Sequence, residues 1–167
     1  MKPSRLAVDT NVLLDIANGL DDVLDAAAVI ADRLTDTEQL VTPSVLEELA
    51  FLSDSGKTPQ VRESARKAIR LLREKNCFRP LLELPFGEER AGELAKEFRR
   101  RQLLPDAEVH DSLILAEAVL LDCHLLLTSD EHLRAIDHQQ LTWLLNAEDL
   151  TAPVIATPRE IVRKFFH

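Results

Sequence analysis

Tyrosine is absent from the 167-residue chain, and aromatic residues make up only 4% of it. Proteins that grip single strands by stacking bases on rings need such platforms, so that class is excluded. Basic residues are short too: 20 Lys and Arg stand against 29 Asp and Glu, a formal charge of −9. Broad coating of nucleic acid needs many cationic contacts to phosphates and does not fit that balance. A local basic groove, or a knot of acids holding metal ions, remains compatible with it. Two cysteines, Cys77 and Cys123, cannot build a disulfide framework and lack metal-ligand spacing. They read as small buried hydrophobes in a reducing cytosol. No apolar run approaches a membrane span. Asp9 and Asp15 interrupt the apolar part that a signal peptide would need.

What the chain does have is alternation. Its length suits one core, with 46% hydrophobic residues, so one domain over residues 1–167 is expected. Leu6, Ala7 and Val8 form a run too short for a helix and suited to a buried strand; helical spacing resumes from Val12 to Ala17. Further strands are expected at 39–42, 79–84, 124–128 and 154–155, separated by helices, with Pro43 and Pro158 in the first-turn position proline tolerates. Residues 107–122 are apolar on every side, the pattern of a buried helix. Strands alternating with helices predict an α/β fold with a parallel sheet covered on both faces.

Four carboxylates stand where solvation is a poor account of them. Asp9 and Asp130 each follow a short apolar strand, and parallel pairing would bring them to one sheet edge, where open α/β sheets bind ligands. Asp111 lies in the first turn of the buried helix, favoured by the helix dipole but with little water nearby. After Pro43, Val45, Leu46, Leu49, Ala50 and Leu52 centre on one face; Glu48 lies at its border and Glu47 nearly opposite, so Glu48 is the inward choice. Oxygen-only ligands select hard ions such as Mg²⁺ or Mn²⁺. Such ions suit phosphodiester hydrolysis, one lowering the pKa of an attacking water and a second stabilising the leaving oxygen. The plainer alternative is a set of separate helix caps and surface acids, Asp9 being placed as an N-cap would be. Asp106, after Pro105, reads as a loop acid.

Val8-Asp-Thr-Asn-Val-Leu-Leu14, Thr42-Pro-Ser-Val-Leu-Glu-Glu-Leu49, His110-Asp-Ser-Leu-Ile-Leu-Ala-Glu-Ala118 and Leu127-Thr-Ser-Asp130 resemble, in order, the successive motifs of PIN-domain nucleases. The tail Ala156-Thr-Pro-Arg-Glu160 is similar to the family's closing helix. The resemblance implies a three-layer α/β/α sandwich with a short, mostly parallel central sheet, and metal-dependent cleavage of RNA. By motif position, Asp9, Glu48, Asp111 and Asp130 match the family's acidic quartet, holding Mg²⁺ or Mn²⁺. Asn11 and Thr128 match its polar supporting positions, able to orient the ligands. Leu133 stands where the family often has an aromatic residue. Residues 53–108 form a helical elaboration longer than in the family's compact toxins, which work with a small antitoxin protein and often dimerise.

Arg62, Arg66, Arg70 and Arg73 form one stripe along the helix expected at 60–75. They serve either as a rail for RNA phosphates or as a solvated face paired with nearby Glu. Arg99-Arg-Arg101 complements a helix dipole, and His124, His132, His138 and His167 show no metal spacing. Trp143, amid Leu141, Leu144 and Leu145, reads as a core or dimer contact. The expected function is therefore a cytoplasmic metal-dependent endoribonuclease. Its rivals are a catalytically weak scaffold acting through RNA or protein partners, and a phosphatase using Asp9 as nucleophile. Asn11 opposes the phosphatase, because such enzymes usually carry a second Asp at that position.

Overall fold

A computed structural model describes residues 4–75 and 77–166. In chain order its elements are β1 (Ser4–Val8), α1 (Thr10–Ala17), α2 (Asp21–Arg33), β2 (Thr37–Val41), α3 (Pro43–Ser55), α4 (Pro59–Glu74) and β3 (Arg79–Pro80). There follow α5 (Glu88–Arg100), α6 (Val109–Leu120), β4 (Leu125–Leu127), α7 (Glu131–Arg134), α8 (His138–Asn146), β5 (Val154–Ala156) and α9 (Pro158–Phe165). The five strands form one sheet, ordered β3-β2-β1-β4-β5 and parallel throughout, flanked by helices in the expected α/β/α arrangement. Among the described residues no helix is long and apolar enough to cross a membrane.

That strand order fixes where a ligand can bind. The chain runs outward from β1 through β2 to β3, then returns to the other side of β1 as β4 and β5. The reversal leaves a crevice beyond the carboxyl ends of β1 and β4, the usual ligand site of an open parallel sheet. Val8 pairs with Leu127, and the N–H of Asp9 donates to Leu127 O at 2.9 Å. Asp9 and Thr128 therefore leave the sheet side by side. Beneath them Leu6, Ala7, Val8, Leu126 and Leu127 are buried, continuous with Ile114, Leu115 and Ala118 of α6. A strand buried on both faces reads as an apolar run without alternation, which is why three residues sufficed to mark β1.

Several boundaries differ from the sequence expectation. The strand expected at 79–84 shortens to Arg79–Pro80, although Leu81 N–H still reaches Val41 O at 2.9 Å. Pro80 has no N–H to give the ladder, and Pro85 closes the stretch. The helix expected at 43–52 continues to Ser55 and is capped at Gly56. Leu133 is fully buried, as a core replacement for an aromatic side chain would be. Trp143, however, is 76% exposed, so the core reading is wrong: α8 buries Leu141 and Leu145 and turns Trp143 outward. Cys123 is buried as expected, while Cys77 is exposed.

Candidate active site

Asp9 is 2% exposed, yet its carboxylate is surrounded by donors. The Thr10 N–H donates to Oδ1 at 2.7 Å, the Thr128 hydroxyl to Oδ2 at 2.7 Å and the Asn11 amide to Oδ2 at 3.3 Å. Asn11 is held in turn by the Ser129 N–H, which donates to its Oδ1 at 3.1 Å. The Asp130 N–H donates to Thr128 Oγ1 at 3.0 Å. Asn11 and Thr128 thus orient the acid and join the ends of β1 and β4. Asp9 also caps α1, so the helix-cap reading holds for this side chain. Asp130 is comparable: its Oδ1 accepts the Leu133 N–H at 2.9 Å and caps α7.

Asp9 feels the charges of Glu48 and Asp130, and Asp111 those of Asp130 and Asp9. Burial pushes the Asp9 carboxyl up, and the charges of Glu48 and Asp130 push it further, against the lowering effect of Thr128 and Thr10. Asp111 is driven up to about 8, first by burial, then by a hydrogen bond shared with Glu108 and by the charges of Asp130 and Asp9. Like charges within reach disfavour one another's ionisation, and a cation among them reverses that preference.

Glu48 behaves differently. It is half-buried while Glu47 is exposed, as the helical phase of α3 requires. Its Oε2 lies 2.5 Å from His110 Nε2. Burial raises its carboxyl, but the contact with His110 outweighs burial and holds it below the ordinary range. The same contact holds His110 protonated to a higher pH than usual.

Sequence reasoning missed three groups here. His110 fell inside a quoted motif, and its partner is far away in the chain. Glu108 precedes Asp111, bonds to it, and has His132 Nε2 3.4 Å from its own Oε1. Glu117 is 4% exposed and accepts from both the Ser44 N–H, 3.1 Å, and the Ser44 hydroxyl, 2.6 Å. A polar residue in an all-apolar helix was the one available signal for it. Asp106 is exposed, the loop acid it was read as.

The arginine stripe of α4 follows the paired-face reading in part. Arg66 and Arg70 lie 3.8 Å and 3.3 Å from Glu63, and Arg62 Nη1 donates to Gly56 O at 2.7 Å, tying the end of α3. Arg73 has no ion pair among the described residues. In the next basic run, Arg100 and Arg101 both engage Glu97, whereas Arg99 crosses to the Ser112 hydroxyl at 2.5 Å.

Whether this donor set suits a divalent ion can be judged from its chemistry. The acids offer oxygen donors, and burial, the hydrogen bond with Glu108 and the charges of Asp130 and Asp9 together push Asp111 up to about 8, a chemistry that fits a hard cation. Among the described residues, no three His, Cys, Asp or Glu side chains surround one point as metal ligands. Glu48 is turned onto His110, and Asp9 and Asp130 each commit an oxygen to a backbone N–H.

A parallel α/β sheet with Asp9 and Asp130 following adjacent strands at its switch point is the architecture of an open α/β fold that binds its ligand there. The model of the PIN domain matches residues 6–139, and the chain belongs to that family. No curated protein matches the chain. Among solved structures, the fold is similar to a chain of VapBC2 from Rickettsia felis, determined bound to a DNA fragment from their promoter. The TM-score is 0.58 and the identity 17%, over 79% of this chain and 92% of that one.

Proposed function

We propose that the chain is a Mg²⁺- or Mn²⁺-dependent endoribonuclease of the cytoplasm, with Asp9, Glu48, Asp111 and Asp130 as its metal-holding acids. The observation that carries the reading is that, beyond burial, the charges of Glu48 and Asp130 raise Asp9 and the charges of Asp130 and Asp9 raise Asp111 at the sheet's switch point. When bound there, the ion would supply Lewis-acid activation of the attacking water and of the leaving oxygen. The protein's own contribution is placement. Thr128 and Asn11 lock the Asp9 carboxylate, and the caps on α1 and α7 fix the chain directions at its two sides. His110 keeps Glu48 ionised and holds it at the rim. Attack in line on phosphorus leaves a 5′-phosphate and a 3′-hydroxyl. Arg73, with Arg62, Arg66 and Arg70 behind it, offers a secondary rail for the RNA backbone.

The VapBC2 likeness supports a small antitoxin protein as a partner, and the exposed Trp143 face supports a homodimer. The test is turnover of single-stranded RNA with Mn²⁺ by the wild type, Asp9→Asn and Asp111→Asn. Cleavage by the wild type alone is expected; equal residual cleavage by all three rejects the site. The engagement of Glu48 by His110 favours one second reading, a scaffold that acts through RNA or protein partners without cleaving. Calorimetric titration with Mn²⁺ separates the two, since a scaffold takes up no ion.

A further inference from the structure

Beside the acids lies a cleft of about 570 Å³ that their chemistry does not use. Val12, Leu20, Val23 and Pro158 give it apolar walls, and Asp15, Asp21, Asp22, Ser129, Thr157 and Arg159 line the rest. It adjoins the candidate site directly: Ser129 sits between Thr128 and Asp130 and donates to Asn11, and Val12 follows Asn11. The volume is that of a small-molecule site, with apolar walls beside polar and charged groups.

We propose that this cleft receives a guanine base of the RNA substrate, read by the Asp15 carboxylate. The inference rests on the ribonuclease reading for its biological setting, but not for its chemistry. A phosphate is unsuited to the cleft, because Asp15, Asp21 and Asp22 line it and its one cation there, Arg159, is tied to Asp22 at 3.1 Å. A flat, uncharged base between aliphatic walls meets no such penalty, and unstacked RNA bases are read in this way on their Watson–Crick edges. Asp15 makes no side-chain hydrogen bond or ion pair among the described residues, although it is half-buried. Its carboxylate offers two parallel acceptors. Of the four RNA bases, guanine alone presents two adjacent N–H donors, N1–H and the 2-amino group, to match them. Burial raises the Asp15 carboxyl, in keeping with an acid lacking a partner of its own.

The test uses nucleosides, which carry no phosphate, titrated into the full chain by calorimetry in EDTA so that cleavage plays no part. Guanosine should bind about tenfold or more tightly than inosine, which lacks the 2-amino donor, and than adenosine. Asp15→Asn should erase that preference, and Leu20→Trp, a change at an exposed position on the rim, should block entry. Equal affinity for all nucleosides, or a guanosine preference surviving in Asp15→Asn, overturns the proposal. Occupancy by an arginine-bearing peptide, with no nucleoside bound, would identify a protein segment instead and also overturn it. A parallel map of Mn²⁺-dependent cuts in random RNA separates this inference from the reading beneath it. Guanosine binding by a chain that cuts nothing keeps the cleft and removes the nuclease. Cutting without regard to guanine keeps the nuclease and removes the cleft.

Discussion

Asp111 and Glu117 stand on the same helix, both withdrawn from water, and their surroundings are opposite. Glu117 faces the first turn of α3, where the Ser44 N–H and hydroxyl donate to its two oxygens and the helix dipole favours its charge. Asp111, about 9 Å back along the axis, faces Glu108, Asp130 and Asp9 instead. Burial raises both carboxyls, but donors oppose the rise at Glu117 and acids compound it at Asp111. Burial alone therefore does not mark a functional acid. The company it keeps tells more: the Ser44 donors let Glu117 fasten α6 to α3, whereas Asp111 meets other acids.

The widest separation of the two regions should appear in activity. Asp9→Asn and Asp111→Asn should each lower RNA turnover by about a hundredfold or more, while the melting temperature of Asp111→Asn in EDTA holds or rises because a buried acid repelled by its neighbours is gone. Loss of folding by either variant, read by thermal melts, would break the comparison. On the other side of the helix the signs reverse. Glu117→Ala leaves the Ser44 N–H and hydroxyl without their acceptor and should cost about 2–3 kcal/mol of stability, measured by urea unfolding. A loss of a few tenths would mean Glu117 is no fastening.

The pH dependence sharpens the contrast further. A carboxyl raised in the folded state binds its proton more tightly there than in the unfolded chain, so ionising it opposes folding. With Asp111 at about 8 against an ordinary value of 3.8, stability in EDTA should decline as pH rises between those values. Mn²⁺ affinity should climb over the same range as the proton is displaced. Asp111→Asn should flatten both trends. The smallest effects belong to α4: Arg66→Ala and Arg70→Ala, paired with Glu63 at the surface, should each change stability by less than about 0.5 kcal/mol.

The sequence disclosed whatever is local. Apolar runs marked β1 and β4, and the phase of α3 separated Glu48 from Glu47, because both patterns repeat over a few residues. The layered fold and the PIN motifs followed from their order. Pairings across the chain were not legible: nothing near Glu117 announces Ser44, 73 positions away, and nothing near Glu48 announces His110. Trp143 was misread for another reason. Its apolar neighbours suggested a core, but Leu141 and Leu145, one turn apart, define the buried stripe and leave position 143 outside it. The cleft beside Ser129 is assembled from α1, α2 and α9 and has no motif at all.

The claim that everything else depends on is that the acids at the switch point accept a divalent ion. A crystal soaked in Mn²⁺ and measured at a wavelength where manganese scatters anomalously tests it directly. The account predicts a peak bounded by Asp9, Asp111 and Asp130, with Glu48 drawn toward it from His110. Diffraction from a fully soaked crystal with no peak among these side chains would contradict it.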